Sequence, residues 1–234
     1  MHHFRAADSR RFINAALTMG VAFLVFGASF GVLAVGAGAT ILQATVMSLF
    51  VFTGASQMSV VSVIASGGSP VSAFGGAVLL AGRNAIYGLA LAPVLRENSF
   101  AGRLVGSQWV IDETTALVTA EDDPAARRTA FWCSAPILYF AWSFGSFLGA
   151  VVGSNIDPTD LGLDAAFPVM FIAMVVPHLR TRAGRRAALF GAVATVGLAP
   201  FLPVGLPILV ASLGMLFGLS PDATAAPDVT EGMP

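Results

Sequence analysis

Apolar residues run along this chain in long blocks, at 14–36, 41–65, 70–95, 130–153, 165–179, 186–201 and 204–219. A helix needs about 20 predominantly apolar residues to cross the hydrocarbon core of a bilayer. The blocks therefore predict about seven transmembrane helices, within a range of six to eight. Gly and Pro mark the boundaries, at Gly67-Gly68-Ser69-Pro70, from Asn155 to Pro158, and from Pro200 to Pro207. The fifth and later blocks are short, as tilted, broken or half-helices would be. Residues 104–120 differ from the rest: LVGSQWVIDETTALVTA places Asp112 and Glu113 at its centre. That segment reads either as an amphipathic helix at the membrane interface or as a re-entrant hairpin buried in protein. Whether it crosses is left open, and so is the side of the N-terminus. The polar stretch Ser220–Pro234 predicts a disordered tail, after a single polytopic permease domain over 1–219.

Composition supports this reading. Hydrophobic types make up 56% of the 234 residues and charged types 11%, with a mean hydropathy of +0.80. Soluble domains carry about 25% charged residues, so this chain cannot cover a water-facing surface. It is expected to be an all-α integral membrane protein. Twelve basic residues, all Arg, against thirteen acidic ones give no basic field for nucleic acid. The lone Cys133 forms no internal disulfide and reads as a buried thiol, and with His2, His3 and His178 it supplies no metal site. Neither a cofactor nor a metal is expected. Ser9-Arg10-Arg11-Phe12-Ile13 loosely resembles a twin-arginine signal. The apolar run behind it is too long for a cleaved leader and predicts a first transmembrane helix with a cytoplasmic arginine flank.

Two stretches recur weakly. Gly27-Ala-Ser-Phe-Gly31 returns as Gly145-Ser-Phe-Leu-Gly149, and Phe74-Gly75 as Phe190-Gly191. Three spans per half would make a 3+3 inverted repeat with broken or short helices, as in many transporters. The cluster Arg180, Arg182, Arg185 and Arg186, and the pair Arg127 and Arg128, should be cytoplasmic. The loop with Asp157, Asp160 and Asp164 should lie outside. The N-terminal arginines agree only if an even number of crossings precedes Arg127, so that either 104–120 crosses or one of the first three blocks does not.

Several residues carry candidate chemistry. The pentapeptide 27–31 matches the Gly-x-Ser-x-Gly nucleophile motif, but that motif needs a strand-to-helix elbow. Inside a helix the same residues read as a Gly-x-x-x-Gly packing surface, and an intramembrane serine hydrolase using Ser29 is the weaker alternative. Thr53-Gly54-Ala55-Ser56-Gln57 interrupts the second block; it reads as close packing or as a broken helix facing a substrate cavity. Arg83 sits near the middle of the third block, where an arginine costs about 2.5–3.5 kcal/mol to insert. It must face protein or water. Tyr87 shares its helix face and Asn84 shares one with Gly88. Ser56, Gln57, Arg83, Asn84 and Tyr87 are thus the candidate substrate site. Asp112, Glu113 and Asp164 are the candidate ion-pair or proton-coupling carboxylates.

These stretches resemble the AzlC family, the large subunit of a two-component branched-chain amino acid exporter. The resemblance rests on Val51-Phe-Thr-Gly-Ala-Ser-Gln57, Arg83-Asn-Ala-Ile-Tyr-Gly-Leu-Ala-Leu-Ala-Pro93, Asp112-Glu-Thr-Thr-Ala-Leu117 and Leu163-Asp-Ala-Ala-Phe-Pro-Val-Met-Phe-Ile-Ala173. It implies a multi-pass permease of the bacterial inner membrane, with no enzymatic activity, exporting branched-chain or similar apolar amino acids with a small hydrophobic AzlD-type subunit. Alternating access driven by the proton gradient is the expected mechanism. A channel, or a transporter of another small solute, is the alternative. Asn84 departs from the pattern, in which His follows the arginine in many members, and Thr115 stands where an aromatic is common.

Overall fold

Long apolar runs become long helices because lipid leaves the backbone no hydrogen-bonding partner outside the helix itself. In the computed structural model, which describes residues 6–155, 172, 175–202, 206–211, 213, 214 and 216, three helices are long and apolar enough to cross a membrane. They are α1 (Ala6–Gly36), α4 (Pro70–Arg96) and α7 (Pro124–Gly153). Between them lie α2 (Ile41–Phe50), α3 (Ala55–Ala65), α5 (Phe100–Gln108) and α6 (Asp112–Thr119). After α7, a 3-10 turn Val176–Arg180 leads to α8 (Arg182–Leu198) and α9 (Leu206–Ala211). The described residues contain no strand. This is the all-helical membrane architecture that the hydropathy predicts.

The helices α1 and α7 run parallel and pack along most of their length. Gly20 of α1 faces Ile137 and Ala141, Gly27 faces Trp142 and Ser146, and Gly31 faces Ser146 and Ala150, so both chains advance together. The two recurring glycine motifs meet here. A Cβ on Gly27 or Gly31 would run into α7 carbonyls, and one on Gly145 or Gly149 into those of Leu24 and Ala28. Backbone-to-backbone approach of this kind is what small-x-x-x-small motifs permit in lipid, where packing rather than the hydrophobic effect joins helices. The expected inverted repeat is corrected at this pair. Motifs related by inversion would lie on antiparallel helices, and these two lie on parallel ones.

With α1 and α7 parallel, their N-termini share one end of the bundle, where Arg11 of α1 pairs with Glu121 at 2.7 Å. Helix α4 ends there too: Arg128 reaches Glu97 at 2.7 Å and the Asn98 side chain at 2.9 Å. Helix α4 therefore starts at the far end, where α1 and α7 finish. Ser59 of α3 lies beside Gly76 of α4, so the antiparallel pair α3–α4 turns over at the far end, and α2 begins at that end as well. Hence α2 and α3 enter from the far end, reverse at residues 51–54, and go back. The expected crossing over 41–65 is replaced by a re-entrant hairpin. Its legs of 10 and 11 residues reach only about 15 Å at 1.5 Å per residue, roughly half of a ~30 Å hydrocarbon core.

Helices α5 and α6 form a second hairpin from the opposite side. They leave the arginine end after Asn98, reverse at residues 109–111, and return to Glu121. Segment 104–120 therefore does not cross, and the buried-hairpin alternative is the one observed. Two crossings, α1 and α4, precede Arg127, which removes the arginine conflict in the sequence. Of the other expected spans, 186–201 corresponds to α8, which begins four residues earlier. Most of 165–179 and the end of 204–219 lie outside the described residues, as do the Asp157–Asp164 loop and the expected tail 220–234.

Candidate functional site

The two hairpin tips are built alike. In the first, Gly54 takes φ +59°, a conformation that side chains oppose, and the backbone N–H of Gly54 donates to Gln57 Oε1 at 3.3 Å. Gln57 Nε2 then donates to Ser48 Oγ across the hairpin at 3.2 Å. In the second, the Ile111 N–H donates to Thr114 Oγ1 at 3.0 Å, and that hydroxyl donates back to the Trp109 carbonyl at 2.9 Å. Gln57 and Thr114 are both fully buried. Each takes an N–H that the start of a helix leaves unsatisfied, which is what lets the backbone reverse at membrane depth. The tips also touch: the Leu49 carbonyl at the end of α2 accepts from Gln108 Nε2 at 3.2 Å and from the Tyr139 hydroxyl at 2.8 Å.

Beside the tips is a cavity of about 280 Å³, close to the lower end of the ~300–1,000 Å³ range of small-molecule sites. Met19, Ala22, Phe23 and Phe26 of α1 form its apolar wall, with Phe52, Ile111 and Trp142. The aromatic walls support one another: Phe23 packs edge-on to Trp142 with centroids 6.1 Å apart, and Phe52 edge-on to Tyr139 at 5.2 Å. Thr53, Gly54, Arg83, Asp112 and Glu113 form the polar end.

Arg83 Nη1 lies 2.5 Å from Asp112 Oδ2. Asp112 opens α6 with Glu113 next to it, where the helix dipole favours negative charge. The pair is incomplete. Arg83 Nε and Asp112 Oδ1 are buried and have no hydrogen-bond partner, and the Tyr87 hydroxyl interacts with Asp112. The cavity wall thus holds, at mid-depth, one guanidinium and two carboxylates, and Arg83 Nε and Asp112 Oδ1 keep hydrogen-bonding capacity unspent.

A second cavity, of about 310 Å³, lies on the other side of the first tip, and Phe52 and Thr53 form a wall of both. Asn84, Gly88 and Leu95 of α4 line it with Ser107, Gln108 and Val110 of the second hairpin. Of the residues expected from sequence, Arg83, Tyr87, Asp112 and Glu113 come together, while Asn84 turns into the second cavity. Ser56 and Gln57 line neither: Gln57 fastens the hairpin, and the Ser56 hydroxyl is buried without a partner. Asp164 lies outside the described residues. The α1 wall, Trp142 and the Gln108–Leu49–Tyr139 contacts were not anticipated, although Gln108 and Tyr139 are polar interruptions that could have been noticed.

Ser29 is not disposed as a nucleophile. Its hydroxyl donates to the Val25 carbonyl of its own helix at 3.0 Å, and its flanking glycines are pressed against α7.

Comparison with known proteins places these features in a lineage. Residues 18–156, which hold both hairpins and both cavities, match the family described as AzlC protein. The chain is 25% identical over 233 residues to an uncharacterized membrane protein of Helicobacter pylori strain 26695, covering 93% of this chain and 97% of the relative. It is 26% identical over 212 residues to one from strain J99, covering 86% and 89%. No solved structure matches.

Proposed function

The chain belongs to the AzlC family of membrane proteins, and from that premise we propose that it is a bacterial inner-membrane permease exporting branched-chain or similar apolar amino acids. The observation that carries this reading is the Arg83–Asp112 pair on the wall of an apolar, half-membrane-deep cavity, with Arg83 Nε and Asp112 Oδ1 unspent. A free amino acid has a carboxylate and an ammonium group on one carbon, and both must be matched where water is scarce. Arg83 offers a planar fork to the carboxylate, and Asp112 or Glu113 accepts from the ammonium. Met19, Phe23, Phe26 and Trp142 surround the tail. Bound substrate sets its carboxylate against Arg83 and its ammonium against an acidic side chain, adding no net charge, whereas a proton on Glu113 removes the carboxylate charge that the ammonium needs; substrate and proton therefore compete for Glu113. That exchange is the basis for driving export with the proton gradient.

Arg10, Arg11, Arg96, Arg103, Arg127 and Arg128 all lie at one end. Positive charge marks the cytoplasmic side. Alternating access then works by the two hairpins, one from each side, opening in turn. The partner that the resemblance implies is a small hydrophobic AzlD-type subunit, and the exposed apolar face of α4 formed by Val71, Phe74, Ile86 and Leu89 is where we propose that it docks.

The deciding experiment compares leucine, leucinamide and 4-methylpentanoate on the protein co-expressed with a small AzlD-type membrane protein and reconstituted in liposomes. Leucine should be carried, and each analogue, lacking one charge, should bind at least tenfold more weakly. Equal handling of all three would overturn the amino acid reading.

A further inference from the structure

Asn84 lies near the middle of α4, beside Arg83, and its side chain makes no hydrogen bond to any described residue. An amide left unpaired in hydrocarbon costs several kcal/mol, so its surroundings must supply polar partners. The second cavity is where it opens, and Gln108, Ser107 and Thr53 are the other polar side chains in its wall. Asn84, Gly88 and Leu95 descend one face of α4, at i, i+4 and i+11, towards the end that holds Arg96. The cavity therefore leads from mid-membrane towards the arginine end, and Phe52 and Thr53 alone appear in the walls of both chambers.

We propose that the second cavity is the hydrated access route between the arginine end and the charged cavity, and that the tip of the first hairpin is the gate between them. The route is neutral: Asn84, Gln108 and Ser107 can exchange hydrogen bonds with a passing zwitterion or its water without holding either of its charges. The gate is latched by the Leu49 carbonyl, held at once by Gln108 Nε2 and the Tyr139 hydroxyl. It hinges at Gly54, whose φ of +59° only a glycine adopts readily. Breaking the two contacts to Leu49 frees Phe52 and Thr53 to swing out of the partition, which joins the two chambers. The identity of the solute rests on the amino acid reading above; the route and its gate do not.

A plug tests the route. A Cβ at Gly88 would meet nothing within 4 Å, and the same is true at Gly82, which lines neither cavity. Gly88→Trp should reach the membrane normally, keep amino acid affinity within threefold of wild type as read by isothermal calorimetry, and lower flux at least tenfold. Gly82→Trp should transport normally. Wild-type flux in Gly88→Trp would overturn the route. A second measurement needs no substrate. Asn84→Cys, in a Cys133→Ala background, should react with a charged thiol reagent within tenfold of the rate at the surface variant Arg103→Cys. A rate a hundredfold slower would show a dry cavity and overturn the route, even if the solute proved not to be an amino acid. Absence of leucine binding to the wild type would instead remove the amino acid reading and leave the labelling result standing.

Discussion

Arg83 and Asp112 meet at half-depth in the bundle with Nη1 and Oδ2 2.5 Å apart, one on a continuous helix and the other on the first turn of a half-helix. The continuous helix fixes the guanidinium. The re-entrant hairpin brings the carboxylate to it from the arginine end, and Arg83 Nε and Asp112 Oδ1 are left buried without a partner. A pair built only to stabilise the fold would use its full hydrogen-bonding capacity, since a half-satisfied buried network is costly.

Arg83→Lys keeps the charge and loses the planar fork. It should be made at near-normal abundance, bind amino acid at least tenfold more weakly, and export poorly. Arg83→Ala strands Asp112, a loss of the order of 3–5 kcal/mol for a buried pair, and should lower abundance as well. Asp112→Asn in the same chain should restore abundance without restoring binding. Near-normal binding in Arg83→Lys, measured by isothermal calorimetry, would leave the pair a purely structural role.

Glu113 lines the cavity beside the pair without forming an ion pair of its own. If it carries the coupling proton, Glu113→Gln should still exchange labelled leucine for leucine across a vesicle membrane. It should no longer accumulate leucine when a proton gradient is imposed. Retained gradient-driven uptake would assign coupling elsewhere.

Gln57 shows where residue-level reading of the sequence stops. A glutamine between hydroxyls and a glycine at mid-block announces a break in the helix, and the break is there at residues 51–54. The local pattern does not say whether the amide faces substrate or caps the turn, because both satisfy the same polar group. Arg83 was easier to place, since its insertion cost forbids a lipid-facing position. The block 41–65 misled for another reason: two half-length apolar legs joined by a short tip have the hydropathy of one span. Its folding back becomes visible only through pairings distant in sequence, such as Ser59 with Gly76 and Arg128 with Glu97. Gln57→Leu should accordingly lower the thermal stability of the detergent-solubilised protein, with leucine affinity in the surviving fraction within threefold of wild type.

The glycine motif makes an asymmetric prediction. Gly31→Ala places a methyl group against the Ser146 carbonyl and the Ala150 backbone, and the parallel α1–α7 interface has no flexible side chain there to yield. Assembly should fail with this single methyl. Ser29→Ala loses only a hydroxyl bonded back to its own helix, and such back-bonding slightly destabilises helices. Membrane abundance and transport in Ser29→Ala should therefore stay near wild type. Abolished transport at normal abundance would show that the hydroxyl does more than pack.

The topology can be tested at two positions that the alternatives place on opposite sides. Ala39 precedes α2 and Ser66 follows α3. If 41–65 were one span, the residues would lie across the membrane from each other. In the hairpin both lie at the far end, away from the arginines. Positive charge at the other end makes that far end periplasmic, so Ala39→Cys and Ser66→Cys, each with Cys133→Ala, should both react with an impermeant maleimide in intact cells. Asp122→Cys, just before α7 at the arginine end, should react only after the membrane is opened. Labelling of one of the first two but not the other would restore a crossing over 41–65. That would also put Arg127 on the wrong side of an even count, because α1 and α7 are parallel by their glycine contacts. Labelling of Asp122→Cys alone in intact cells would keep both hairpins and reverse the whole molecule in the membrane, with its arginine end outside.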